Sequence, residues 1–319
     1  MATGQSLAPF LRLGDSRLYC GTCSWTDPTL VKETDWYPRR SMSAAERLAF
    51  YASVFPVVEA DSTYYWPPGP ELARSWVERT PEGFRLDVKC WSLLTHHPTR
   101  TESVWEDLRR ELAPEARDKP RVYAHHLEPD ALEEAWARFT TALAPLQRSG
   151  RLGAVLVQYP PWFTPKRANR DELARLPERL DGLPASVEFR SPRWLSPEER
   201  ERTTALLSEL GLTLVAVDAP PASGLTPVVA VTNPRLAVAR FHGRADDTWS
   251  GRSRTAAERF RYLYGEEELS SWVPRARQLA DAEEVHLLMN NCYRDYGVRN
   301  AADLGRLLVE AGARPEPAG

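Results

Sequence analysis

Three pairs of ionisable residues recur at a spacing of two: Glu59 with Asp61, Glu188 with Arg190, and Arg240 with His242. In an extended strand this spacing puts both members of a pair on one face. Lys89, Gln158, Asp218, Asn290 and Asn291 each follow a short apolar run, and His96 and His97 come soon after Lys89. Carboxylates crowded together raise one another's pKa, whereas a neighbouring Lys or Arg lowers it. Opposed shifts of that kind separate an acid from a base. Glu59 and Glu188 are therefore candidates to share acid–base work, with Lys89 and His242 as proton donors or electrophiles. Arg190 and Arg240 are candidates to clamp an anionic group bidentately. Trp25, Asp61, Tyr64, His97, Gln158, Asp218, Asn290 and Asn291 complete the expected substrate-binding set.

Each of these residues also has a structural reading. Arg190 and Arg240 can pair with Glu188 and Glu59 in a buried network, Asp218 can cap a proline-rich turn, and His242 can be a satisfied core histidine. His286 begins an apolar run and reads as structural, and His125-His126 as solvated loop. Cys20 and Cys23 have CxxC spacing, which fits a redox pair or half of a zinc site. No second pair follows nearby, so buried thiols are the favoured reading.

The elements that must position these residues are short β-branched runs separated by helical stretches. Eight runs read as strands: 18–23, 57–61, 84–90, 154–159, 185–189, 212–218, 236–242 and 285–290. Several are almost continuously apolar, as in parallel strands buried on both faces. Ser43 and Glu46 form a capping box. Helical patterns cover 70–79, 132–147, 170–180, 197–210, 254–264, 270–280 and 301–311. Eight strands alternating with helices over roughly 270 residues point to a single α/β domain, a (β/α)8 barrel of the TIM type. An open doubly wound sheet is the alternative, weakened by the lack of a GxGxxG motif. The interval 219–235 holds Pro220, Pro221, Pro227 and Pro234, so the sixth crossover reads as a loop. An insertion follows the third strand, at about 99–129. The barrel is expected to span 18–312, with tails at 1–17 and 313–319. Five of the eight strands end in an ionisable side chain, at the face where such barrels carry their sites.

Composition narrows the function classes. The 319 residues are 42% hydrophobic and 27% charged, an ordinary globular balance. A net charge of −3 argues against a protein whose main affinity comes from coating nucleic-acid phosphates. No apolar run approaches the length of a membrane span and no signal-peptide pattern opens the chain, so a cytoplasmic location is expected. The 11 Trp fall mostly in loops, among them Trp25, Trp36, Trp66, Trp91, Trp162, Trp194 and Trp249, where stacking on a sugar ring or a base is feasible. Serine-hydrolase, zincin, Walker and kinase signatures are missing.

The assembled residues resemble the YecE-like family, domain of unknown function seventy-two. The matching stretches run in order: Gly21-Thr-Cys-Ser-Trp25, Trp36-Tyr-Pro38, Val58-Glu-Ala-Asp-Ser-Thr-Tyr-Tyr65, Thr80-Pro-Glu-Gly-Phe84, Lys89, His97 and Gln158-Tyr-Pro-Pro-Trp-Phe163. Glu188-Phe-Arg190, Trp194, Arg240-Phe-His-Gly-Arg244, Asn290-Asn291 and Asn300-Ala301 complete them. The resemblance implies a TIM-type barrel distantly similar to sugar isomerases and to related endonuclease barrels. Two departures stand out: Asp61 where an asparagine is usual, and Met289 where a phenylalanine is usual. In xylose-isomerase-like enzymes carboxylates and histidines hold metals, and Glu59, Glu188, Asp218 and His242 are residues of that kind. A divalent metal ion is thus a candidate cofactor, and no nucleotide cofactor is expected. The expected partner is a small polar, sugar-like or phosphorylated molecule turned over by acid–base chemistry. A metal-dependent phosphodiesterase or nucleic-acid repair hydrolase is the alternative, and a non-catalytic ligand-binding barrel the second. Nucleic acid is the less favoured partner, and a membrane is not expected.

Overall fold

A computed structural model of the chain describes residues 9–246, 258 and 260–316. Its centre is eight parallel strands: β1 (Ser16–Thr22), β2 (Val57–Ala60), β3 (Arg85–Lys89), β4 (Leu152–Tyr159), β5 (Ala185–Phe189), β6 (Thr213–Asp218), β7 (Leu236–Phe241) and β8 (Glu284–Met289). Each pairs with the next in chain order, and β8 returns to β1 with Glu284 opposite Arg17 and Met289 opposite Thr22. The sheet is therefore a closed barrel, and all eight expected runs are strands. Closure leaves no barrel strand with an unpaired edge.

Alternation along each strand sorts the apolar residues into two layers. Tyr19, Val57, Ala154, Leu156, Val215, Val217, Val238 and Leu288 fill the barrel interior. Leu18, Val58, Val88, Val155, Val187, Leu214, Phe241 and Leu287 face the surrounding helices. Burial on both faces explains why the runs read as continuous rather than alternating.

Helices at Ala44–Ala52, Pro70–Arg79, Pro129–Arg148, Arg167–Arg179, Arg200–Glu209, Val273–Leu279 and Tyr296–Glu310 cover the outside. The capping box is formed: Glu46 N donates to Ser43 Oγ at 3.2 Å, and Ser43 N to Glu46 Oε2 at 2.7 Å. The fifth crossover helix begins at Arg200 rather than at Pro197, after a turn that carries Pro197. The sixth crossover is a loop with one short turn at Pro221–Ser223, laced to β6 by Thr232, whose hydroxyl accepts from Leu214 N and donates to Leu212 O. Of the helix expected at 254–264, residues 254–257 and 259 lie outside the described residues, and 261–264 are irregular. Within the insertion a two-residue ribbon pairs Thr99–Arg100 with Arg121–Val122. Two stretches assigned to the tails are strands: Phe10–Leu13 pairs antiparallel with both β1 and Arg314–Glu316.

The N-terminal end of the barrel holds a buried ion cluster. His286 Nδ1 lies 2.9 Å from Asp87 Oδ2, and Arg85 forms a fork on Glu284 at 2.8 and 2.9 Å. Gly153 makes room for it, because a Cβ there would lie 2.2 Å from Asp87 Oδ1. Burial works against a charged His286, but Asp87 and Glu284 outweigh it and raise its pKa to about 9. His286 is thus structural, far from the C-terminal mouth.

Candidate functional site

At the C-terminal mouth the inward residues form two tiers. The lower tier is sealed: Glu59, Glu188, Arg240 and His242 are at most 1% exposed. Arg240, from β7, reaches across the interior to strands β2 and β5. Its Nη2 meets Glu59 Oε1 at 2.7 Å and its Nη1 meets Glu188 Oε2 at 2.5 Å. The second Glu188 oxygen lies 2.5 Å from Arg190 Nε and 3.3 Å from His242 Nε2. His242 is held on both sides, with Arg190 Nη2 3.2 Å from Nε2 and the Asn290 amide 2.6 Å from Nδ1.

Burial opposes charge on every member of this tier, and the neighbours decide the outcome. Burial would keep Glu188 protonated, but Arg190 and Arg240 hold its carboxyl well below the usual range. Burial dominates at Glu59, so its pKa is raised in spite of Arg240 and Lys89. Arg240 is stabilised as a cation by Glu188 and Glu59 against its own burial. Burial, reinforced by Arg190, pushes His242 down to about 3, so its imidazole is neutral.

Above lies an open tier. Asp61, Tyr64, Lys89, Gln158, Arg190 and Asn290 keep partial exposure and line a pocket of about 630 Å³. Lys89 Nζ lies 4.7 Å from the centre of the Tyr64 ring and makes no hydrogen bond or ion pair among the described residues. Burial, then Arg240, lowers its pKa. Burial, then Glu59, raises Asp61 to about 6. One wall is aromatic: Tyr64 packs edge-on against Tyr65 at 5.1 Å and against His97 at 5.3 Å, and His97 against Trp162 at 6.0 Å. Burial, reinforced by Lys89 and Arg190, holds His97 near pKa 4, so it too is neutral. Tyr65 and Trp162 are 59% and 57% exposed and form the lip.

The mouth thus gathers Glu59, Asp61, Tyr64, Lys89, His97, Gln158, Glu188, Arg190, Arg240, His242 and Asn290. Three expected binding residues point elsewhere. Asp218 has the opposite parity to Val215 and Val217, and its carboxylate accepts from Arg244, Tyr264 Oη at 2.8 Å and Trp272 Nε1 at 2.7 Å. Asn291 donates to Tyr262 O and Asn300 Oδ1, outside the barrel wall. Trp25 packs edge-on against Trp76 and donates to Ala44 O. Ser24, Tyr65, Phe260 and Cys292 line the pocket without being sequence candidates. Ser24 and Cys292 follow strand ends directly, a signal within reach, whereas Phe260 comes from an irregular segment that carries none. The CxxC pair is divided by the barrel wall: Cys20 faces the helices, and Cys23 lies inside, its sulfur 3.6 Å from Arg240 Nη2.

The donors named for a metal do not fit one. Glu59 and Glu188 are bound by arginines, the Asp218 carboxylate is fully engaged behind the wall, and both His242 ring nitrogens have partners. Among the described residues no three His, Cys, Asp or Glu side chains converge as a cation site. No helix among the described residues is long and apolar enough to cross a membrane.

Known proteins resemble the chain over about two thirds or more of its length. The Bacillus subtilis protein YunF of the UPF0759 group is 28% identical, over 92% of this chain and 94% of its own. YecE of Escherichia coli is 26% identical over 66% of this chain and 62% of its own. A DUF72 protein of Thermotoga maritima superposes with a TM-score of 0.72 at 27% identity, covering 92% of this chain and 99% of that one. One from Enterococcus faecalis gives a TM-score of 0.73 at 26% identity, covering 92% and 95%. The family model described as "Protein of unknown function DUF72" matches residues 19–319, and the chain belongs to that family.

Proposed function

We propose that the chain is an enzyme that does acid–base chemistry on a small polar molecule, sugar-like or phosphorylated, at the C-terminal mouth of the barrel. One observation carries this reading: Asp61 and Lys89 open onto the same pocket with pKa values moved toward neutrality from opposite sides. A carboxyl near pKa 6 gives and takes protons efficiently at cellular pH. Asp61 is therefore assigned the proton transfers and Lys89 the role of electrophile. Arg190, Gln158 and Asn290 supply donors for an anionic or hydroxyl-rich group, and the Tyr64–His97–Trp162 wall suits the face of a ring. Glu59, Glu188 and Arg240 hold the floor in place and act as positioning residues. Asp61 stands where an asparagine is usual in the family, so this proton transfer is specific to chains that carry the carboxyl.

The reaction class can be tested without the natural substrate. A panel of aldoses, ketoses and their phosphates is incubated with the protein in D2O, and carbon-bound deuterium is followed by NMR. Deuterium should wash into at least one compound, and Asp61→Asn should slow it by about 10²-fold or more, the usual contribution of a positioned general base. Exchange that Asp61→Asn leaves unchanged would remove Asp61 from the chemistry. Ligand-dependent thermal stabilisation without exchange would favour a barrel that only binds.

A further inference from the structure

The acid–base reading uses Lys89 only as an electrophile, and its setting points to a further role. The chain has 37 Arg and only four Lys: Lys32, Lys89, Lys119 and Lys166. Arginine makes the ion pairs of the site, where a fixed, permanent charge is needed. At the end of β3, by contrast, stands a residue able to become a neutral amine. Its Nζ has no hydrogen-bond acceptor and no ion pair within contact distance among the described residues, lies against the Tyr64 ring and faces the pocket. Burial, then Arg240 and Arg190, disfavour its charged form, and they outweigh Glu59 and Glu188, which favour it. An amine desolvated beside other cations is the setting in which lysine becomes a nucleophile toward carbonyl carbon.

We propose that Lys89 is a covalent catalytic residue that condenses with an aldehyde or ketone substrate carrying a carboxylate or phosphate. This inference rests on the acid–base reading of the same pocket. The neutral Nζ attacks the carbonyl carbon; the C–N bond forms as the C=O π pair moves to oxygen, which takes up a proton. Nitrogen gives up a proton, and the carbinolamine then loses its hydroxyl as water, protonated by Asp61 in its acid form. The nitrogen lone pair closes the C=N bond. The balance is one amine, one carbonyl and one proton giving one protonated imine and one water. Arg190, open to the same pocket, would receive the anionic group.

The test uses the full chain with pyruvate in one arm and glyceraldehyde 3-phosphate in the other, each with sodium borohydride. Reduction fixes any imine as a stable secondary amine, read by intact mass and by peptide mapping over the four lysines. In at least one arm Lys89 should be labelled about tenfold above Lys32, Lys119 and Lys166, the gain expected of a desolvated amine nucleophile. The arm that labels tells a 2-oxo acid from a phosphorylated aldehyde. Lys89→Arg, which keeps the charge, should lose the label while keeping its circular dichroism spectrum. Labelling spread evenly over the lysines, or none on Lys89 in either arm, overturns the proposal. Deuterium exchange without a Lys89 adduct overturns this inference and leaves the acid–base reading standing. An adduct without exchange supports the inference and removes that reading.

Discussion

Arg240→Met is the most informative perturbation, because Arg240 holds two carboxylates from two strands in a region at most 1% exposed. Removing one partner of a buried ion network leaves a desolvated charge behind, at a cost of about 3–5 kcal/mol. Glu188 keeps Arg190 at 2.5 Å, so the exposed liability is chiefly Glu59, whose Oε2 already has no hydrogen-bond partner among the described residues. With unfolding entropy of about 2.1 cal/mol/K per residue over 319 residues, each kcal/mol moves Tm by about 1.5 °C, so a drop of about 4–8 °C is expected. The pH dependence has a definite sign. Without Arg240, the folded-state pKa of Glu59 rises further above its unfolded value. Its stabilising contribution is then present below the unfolded pKa and lost as pH rises through the folded one. The deficit should therefore be larger near pH 8 than near pH 5. Glu59→Gln combined with Arg240→Met removes the stranded charge and should recover much of the loss, a coupling that a double-mutant cycle measures. Differential scanning calorimetry at both pH values decides. A deficit under about 1 kcal/mol, or one independent of pH, would refute the account of Arg240 as the clamp of the floor.

Other expectations follow from the same geometry. Lys89→Met removes an ammonium whose burial outweighs the attraction of Glu59 and Glu188 and should raise stability by about 0.5–2 kcal/mol at pH 7, as active-site replacements often do; a lower Tm would show that those carboxylates stabilise it more than burial costs. Asp61 has a folded pKa near 6, above its unfolded value, so its contribution is present below the unfolded pKa and lost as pH rises through about 6. Asp61→Asn should flatten the Tm–pH curve across that window, and an unchanged curve would contradict the shift. His286, raised to about 9, contributes stability below its unfolded pKa that is lost as pH climbs through 9. His286→Leu should thus be most destabilised, relative to the parent, below the unfolded histidine pKa and progressively less so as pH climbs through 9. Asp218→Ala strands Arg244, Tyr264 and Trp272 and should cost about 2–4 kcal/mol while leaving borohydride labelling of Lys89 intact.

The barrel was legible because its strands announce themselves twice, as apolar runs and as runs ending in charge. Parity then brought the pairs 59/61, 188/190 and 240/242 into one interior correctly. The same rule applied to β6 would have turned Asp218 outward, since Val215 and Val217 share the other face, but a strand apolar on both faces does not say which one is inside. Glu59 and Glu188 carry two readings in the sequence, an acid–base pair or partners of Arg190 and Arg240 in a buried network, and residue types alone do not choose between them. Their neutralisation by Arg240 depends on β2, β5 and β7 meeting across the barrel, contacts 181 and 52 residues apart along the chain. Lys89 is the opposite case: its place at a strand end marks it as a candidate in the sequence, but the lack of a hydrogen-bond acceptor beside its amine has no sequence signal.

The Arg240 brace also shapes how this protein can change over generations. It ties three strands from within through its two carboxylate partners, Glu59 and Glu188. Tyr65 and Trp162, by contrast, stand in solvent on loops beyond the strand ends. Substitutions at that lip are free to drift with small effect on folding, whereas those at the brace must arrive in compensating pairs. Ligand range set at the lip can therefore change at small cost to folding while the floor beneath it stays fixed.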